Sequence, residues 1–212
     1  PLHPNGLTFR AYDKNGNSGW EFCNLCEINV KKCKTEEDFA DACKAASILG
    51  TIQASYTMFP YLGKITENIV KNEALIGVSM TGIMDNPDIS LNEKIQQNGA
   101  LLIKKINKKI SEKIGINQAA RTTCTKPAGS TSCLLGTSSG IHPGHAKRYF
   151  RRVQANKMEY PAQYFKMNNP LAVEESVWSA NKTDWVLTFV CEVPEGAITK
   201  NMVSAVDLLK NV

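Results

Sequence analysis

The sequence predicts an α/β chain. Short apolar, strand-like runs alternate with helical patterns along its length. The longest helical pattern, Leu91 to Ile114, repeats Leu102, Ile103, Ile106, Ile110 and Ile114 at helical spacing. Gly-, Ser- and Asn-rich breaks fall between these runs, as turns between compact elements do.

Each element follows from local chemistry. Pro1 to Gly19 is turn-rich, with Pro4-Asn5-Gly6 and Asn15-Gly16-Asn17-Ser18-Gly19 as punctuation. Trp20 to Val30 is apolar and partly alternating, and reads as one buried strand. Thr35 opens a helix with Glu36, Glu37 and Asp38 in its first turn, where negative charge suits the helix dipole. Phe39, Ala42, Cys43, Ala46, Ile48 and Leu49 form its apolar face, and the pattern continues to Tyr56. Thr66 to Lys71 is a shorter helix, and Leu75 to Met80 a strand broken by Thr81-Gly82. Gly115 supplies the stop after the long helix. Thr122 to Thr125 is a short strand feeding a loop, Ala146 to Gln154 and Trp185 to Glu192 are further strands, and Thr199 to Leu209 begins a last helix.

With 212 residues, 42% hydrophobic and 21% charged, the chain can bury a core and is not a disordered tail. No apolar run approaches bilayer-spanning length, and no basic-then-apolar signal segment opens the chain. Seven cysteines without a small-protein disulfide spacing favour a reducing cytosol with reactive or buried thiols. The net charge of +5 is concentrated locally. Lys104, Lys105, Lys108, Lys109 and Lys113 crowd one helix, and Lys147, Arg148, Arg151 and Arg152 form a second group. Such surfaces steer anions, but a solvated helix face explains the lysines as well, and no nucleic-acid-binding signature accompanies them. The chain opens at Pro1 without Met and ends within a helical pattern, so it reads as an excised or split piece.

Arg121 to Gln154 is the most informative stretch. Thr-Cys-Thr leads into Lys126-Pro127-Ala128-Gly129-Ser130-Thr131-Ser132 and then the apolar Cys133-Leu134-Leu135. Small residues just before a helix start can aim several backbone N–H groups at one anion. Ser130, Thr131 and Ser132 add hydroxyls, and Gly129 allows close approach to a ligand. The residues alone leave two readings open, a phosphate seat and a turn that caps a helix.

Cys23-Asn24-Leu25-Cys26 leaves three. A zinc site would need two further ligands, for which Cys33 and Cys43 are available. A local redox pair would sit better at a helix start than in a strand, where alternate residues face opposite ways. One reactive thiol beside one buried thiol is the third reading.

Five segments in order carry a resemblance. They are Phe22-Cys-Asn-Leu-Cys-Glu-Ile-Asn, Leu49-Gly-Thr-Ile-Gln-Ala-Ser-Tyr-Thr-Met-Phe-Pro-Tyr-Leu, Leu75-Ile-Gly-Val-Ser-Met-Thr-Gly-Ile-Met-Asp, the loop at Lys126 to Ser132, and Ser139-Gly-Ile-His-Pro. Together they resemble the catalytic large chain of ribonucleotide reductase, most closely its adenosylcobalamin-dependent class II branch, including phage-borne forms. The resemblance runs from about Gly19 to the C-terminus. It implies part of a ten-stranded α/β barrel, with residues 1–212 a single piece from the barrel's second part and 1–19 a turn-rich lead-in. It implies reduction of ribonucleotides to 2′-deoxyribonucleotides by a thiyl radical, with a cysteine pair giving two electrons and a thioredoxin-like reductant resetting it.

Residue by residue, Cys23 matches one member of the reducing pair. Pro127, Ala128, Gly129, Ser130, Thr131 and Ser132 match the loop that holds substrate phosphates; the family usually has Ser where this chain has Ala128. His142-Pro143, Arg151 and Arg152 read as structural. The radical cysteine of the family sits in an Asn-x-Cys-x-Glu motif. Asn24-Leu25-Cys26-Glu27 mimics that motif but is one residue short, so Cys26 is not assigned to it, and the radical cysteine is expected just upstream of Pro1. The other reducing cysteine is expected in a missing first half-barrel, and the piece is expected to be inactive alone. The implied partners are a ribonucleoside di- or triphosphate, the reductant and the remainder of the chain. Adenosylcobalamin is implied for the complete enzyme, with no binding residue identifiable here. No metal ligand, membrane contact or direct nucleic-acid contact is expected, and a cytoplasmic setting in a bacterial or phage-infected cell is. The alternatives are a class I reductase large chain and a non-catalytic nucleotide-binding module.

Overall fold

A computed structural model describes residues 10–210, and Pro4-Asn5-Gly6 lies outside them. The chain begins with a short antiparallel hairpin, β1 (Arg10–Tyr12) and β2 (Ser18–Trp20). Asp13 builds its turn by accepting the backbone N–H groups of Asn15 and Asn17, and Gly16 supplies the left-handed residue, φ 80°.

The centre of the fold is a parallel unit. Strand β3 (Asn24–Asn29) leads to helices α1 (Glu36–Gln53) and α2 (Gly63–Glu73), which return the chain to β4 (Ile76–Thr81), parallel to β3. Parallel neighbours require such a crossover. A second crossover follows through α3 (Pro87–Ser90) and α4 (Glu93–Ile114). It brings residues 121–124 along the free edge of β4. Thr123 bridges Val78 in parallel, Val78 N–H donates to Thr122 C=O at 3.0 Å, and Cys124 N–H donates to Val78 C=O at 3.1 Å. Ile76, Val78, Ile28 and Val30 are buried under α1 and α4.

The helix ends follow the sequence. Thr35 caps α1 in a reciprocal box with Asp38, and Gly115 ends α4 at φ 75°. The buried stripe of α4 differs from the expected isoleucine face. Ile95, Gly99, Ile103, Asn107 and Ser111 point inward, while Leu102, Ile106 and Ile110 are half-buried flanks. Gly99 is required because a Cβ there would stand 2.7 Å from the Phe39 ring of α1. Asn107 is satisfied on both sides, donating to Thr51 Oγ1 at 2.9 Å and accepting from Ala119 N–H at 3.0 Å. Ser47 Oγ donates to Ile103 C=O at 2.8 Å. A fully bonded polar brace thus joins α1 and α4.

After the short helix α5 (Ser130–Leu135) the chain changes character. Strand β5 (Arg148–Asn156), helix α6 (Tyr160–Asn168), strand β6 (Val173–Glu175) and strand β7 (Asp184–Glu192) form an antiparallel sheet in the order β5-β7-β6, with α6 beside β7. Cross-strand pairs Arg148–Glu192 and Arg152–Glu174 sit on this sheet. The last helix, α7 (Ala205–Leu209), is capped by Ser204 and Asp207.

The expected α/β class holds. A ten-stranded barrel is not seen in the described residues, which pair β3, β4 and residues 122–124 in parallel and add one parallel bridge between Gly144 and Thr199. The predicted strand from Trp20 to Val30 is split by an irregular stretch at 21–23, because Glu21 turns inward and its Oε1 accepts the Phe22 N–H at 3.1 Å. Helix α1 stops at Gln53, before the expected Tyr56, and α7 starts at Ala205, after the expected Thr199. The predicted strand at Thr122 to Thr125 is reduced to a single bridge.

Candidate active site

Strand β4 organises the site, and Gly77 is its key position. Val78 is buried beneath the helices, so Gly77, next to it in the strand, faces the opposite side of the sheet. A Cβ on Gly77 would stand 2.7 Å from Cys23 Sγ, 2.8 Å from Cys124 Sγ and 2.7 Å from Leu25 Cδ2. Glycine inside a strand marks such a close approach. Cys23 arrives from the irregular stretch before β3, and Cys124 from the segment on the far edge of β4. The two thiols meet over the glycine.

That contact splits their acidities. The Cys23 thiol stabilises a Cys124 thiolate, and with Lys126 nearby this outweighs burial and lowers Cys124 to about 7. Cys23 is pushed up, first by donating its hydrogen toward Cys124 and then by burial and the charge on Cys124.

Cys23 and Cys26 do not meet. Cys26 Sγ lies 3.3 Å from the Cβ position of Gly50 on α1, on the other side of the sheet from Cys23. Cys33 and Cys43 are buried, with Cys43 against the Gly99 position. The local Cys23–Cys26 redox pair left open by spacing is thus not what the fold assembles, because the strand sends the two side chains to opposite faces. Among the described residues no three His, Cys, Asp or Glu side chains converge as a metal site.

The loop continues directly from the Cys124 segment. Lys126 Nζ pairs with Glu27 Oε1 at 2.6 Å, with both side chains largely buried, and ties the loop base to β3. Lys126 N–H donates to Ser79 Oγ at 3.3 Å. Ala128 is fully buried and its carbonyl accepts from Ser139 Oγ at 2.5 Å. Gly140, at φ 53°, lies so close to Lys126 that a Cβ would stand 2.6 Å from its carbonyl oxygen. A buried polar set fixes this second layer. Asp85 accepts from Ser138 N–H at 2.8 Å and Oγ at 2.5 Å, and Thr81 Oγ1 accepts from Gly140 N–H at 3.0 Å.

The predicted loop residues divide accordingly. Ala128 and Ser132 face inward, and Ser132 Oγ is spent on the Gly129 carbonyl at 2.8 Å. Pro127, Gly129 and Ser130 are exposed and Thr131 is half-buried. Of the three expected hydroxyl donors, Ser130 and Thr131 remain presented outward. Phe22 stacks on Phe59 at 5.1 Å between ring centroids, which places the Gln53 to Pro60 segment beside the Cys23 stretch. Arg151 is held against Cys133 Sγ at 3.3 Å and beside Tyr149, a structural setting. A cavity of about 230 Å³ between Lys31, Asp85, Ser138, Tyr149 and Arg151 is too small for a corrin ring and offers no seat for one.

Sequence reading missed Cys124. Its signals were present but separated: a glycine within the apolar pattern of β4, and a cysteine in the run that feeds the loop.

The site is thus a parallel α/β unit that carries two apposed thiols beside a hydroxyl-bearing loop. Comparison with known proteins shows what the chain is similar to. No family profile matches the chain. It is 28% identical over 142 residues to a probable adenosylcobalamin-dependent ribonucleoside-triphosphate reductase of Dictyostelium discoideum, covering 65% of this chain and 18% of that protein. It is 26% identical over 162 residues to the adenosylcobalamin-dependent ribonucleoside-triphosphate reductase of Lactobacillus helveticus, covering 63% and 22%. The corresponding reductase of Euglena gracilis is 26% identical over 137 residues, covering 63% and 18%. The fold matches a crystal structure of a B12-dependent class II ribonucleotide reductase with a TM-score of 0.64 and 21% identity, over 87% of this chain and 29% of that one. The resemblance to the class II reductase catalytic chain is therefore borne out, and the class I and non-catalytic alternatives are not favoured. The chain spans about a fifth of the length of the relatives it matches.

Proposed function

We propose that this chain forms part of the catalytic barrel of a ribonucleotide reductase that converts ribonucleoside triphosphates to 2′-deoxyribonucleotides, in the cytoplasm and with a thioredoxin-like reductant. Residues 1–212 belong to one piece, the second part of that barrel. The observation that carries the reading is the convergence on β4 of the Cys23 thiol and the loop that follows residues 121–124. The triphosphate is carried over from the relatives' names, as is adenosylcobalamin for the complete enzyme. The cofactor's chemistry is to start a radical.

What this chain's own residues do is narrower. Cys23 carries a thiol able to give up an electron and a proton and end in a disulfide. The loop at Pro127 to Ser132 presents backbone N–H groups and the hydroxyls of Ser130 and Thr131 to the substrate phosphates. Asp85, Ser138 and Gly140 hold that loop from behind. The test is Cys23→Ser in the complete enzyme, assayed for deoxyribonucleotide with a recycling dithiol reductant. Multiple turnover should be abolished. Unchanged multiple turnover would sink the assignment.

A further inference from the structure

The cysteine that meets Cys23 in this structure lies within the same chain. We infer that Cys23 and Cys124 form a dithiol/disulfide couple of their own, closed over Gly77. Three observations support the couple. Both sulfurs crowd one point, 2.7 and 2.8 Å from where a Gly77 Cβ would be. Residue 77 lacks the side chain that would wedge them apart, although its backbone does not require glycine. Cys23 lies just outside the β3–β4 ladder, so its segment can draw toward Cys124 as the bond closes. The other five cysteines are sent elsewhere: Cys26 toward α1, Cys33 and Cys43 into the core, Cys133 to Arg151 and Cys191 to β7.

The acidities set the order of events. Cys124, the more acidic thiol, is the attacking thiolate near neutral pH. With a low-molecular-weight disulfide as electron acceptor, Cys124 attacks one of its sulfurs. The S–S bond breaks, a mixed disulfide forms on Cys124, and one small thiol leaves with a proton. Cys23 then loses its proton and attacks Cys124 Sγ, expelling the second small thiol. One disulfide is consumed, two thiols are released, and two electrons have left the Cys23–Cys124 pair. A dithiol reductant reverses the sequence. What these electrons are used for rests on the reductase reading above; the couple itself does not.

The experiment uses the full 212-residue chain and oxidised glutathione as probe, with non-reducing digestion and mass spectrometry. A Cys23–Cys124 cross-linked peptide should accumulate with the loss of two free thiols, and dithiothreitol should remove it. Cys26→Ser should leave the yield unchanged. Gly77→Ala, which places a methyl between the sulfurs, should lower it by about tenfold. A Cys23–Cys26 link, glutathione adducts without the cross-link, or equal yield in wild type and Gly77→Ala would each overturn the couple. No nucleotide is present, so this result is independent of turnover. A cross-link together with Cys23→Ser enzyme that still turns over would leave the couple standing and remove the reductase assignment of Cys23.

Discussion

The parallel unit and the antiparallel sheet treat polar groups in opposite ways. In the parallel unit Ile76 and Val78 are buried, the polar side chains of the α1–α4 brace are internally bonded, and the ion pair Lys126–Glu27 is largely buried. In the antiparallel sheet β5 and β7 expose Phe150 (70%) and Val190 (76%), and the ion pairs Arg148–Glu192 and Arg152–Glu174 stand in solvent. The difference teaches where precision resides. The glycine over which the two thiols meet lies on β4, which is paired on both edges and covered beneath by helices. The sheet has one loose face and its charges are worth little individually.

The sharpest way to break this comparison is truncation at matched positions. Ile76→Ala should destabilise the chain by about 2–5 kcal/mol, because it leaves a cavity under α1. Phe150→Ala should change stability by no more than about 0.5 kcal/mol, because its ring is mostly in water already. Urea unfolding of both variants checks this. Equal losses would mean that the sheet's outer face is covered and that the contrast is false.

The loop gives the next effect in size. Ser130→Ala combined with Thr131→Ala in the complete enzyme should weaken substrate binding by about 1–3 kcal/mol, read as a higher KM, if both hydroxyls meet phosphate. Ser132→Ala should instead act on stability, since its hydroxyl serves the Gly129 carbonyl. Steady-state kinetics at saturating reductant separate the two. A double variant with unchanged KM and kcat would remove the loop from the phosphate site.

What was legible in the sequence was local. The Thr35 helix start, the Gly115 stop and the Asn15-Gly16 turn depend on residues a few positions apart, and all three form as expected. The Cys23 strand and the loop were legible through motif order. Cys124 was not, because its partner lies 101 positions away and is reached only through two crossovers. The α4 stripe was misread for a related reason. Periodicity counts apolar residues, whereas the partner helix selects by fit, so Gly99 and Asn107 join Ile95 and Ile103 inside while Ile106 and Ile110 flank them. Glu21 broke a predicted strand because one inward carboxyl outweighs an alternating pattern.

Glu21 also gives the smallest and most diagnostic prediction. Burial raises its carboxyl to about 7, with the Phe22 N–H opposing and the charge of Glu73 adding, and its Oε2 is buried without a partner. In the sheet Glu175 moves the other way, lowered first by its hydrogen bond with Lys157. A carboxyl raised in the fold binds its proton more tightly there than in the unfolded chain. Its contribution is fully present below the ordinary carboxyl range and is lost as pH rises through about 7. Partial solvent screening limits the loss to the order of 1 kcal/mol. Stability measured at steps from pH 5 to pH 7, largely below the range where Cys124 ionises, should therefore fall in wild type, and the fall should flatten in Glu21→Gln, which keeps the shape and cannot ionise. Glu175→Gln should leave that slope unchanged, because the contribution of Glu175 is lost only as pH falls through its lowered value. An identical slope in wild type and Glu21→Gln would show that Glu21 is solvated as freely as the sheet's carboxylates, and the contrast between the two regions would then stop at the edge of β4.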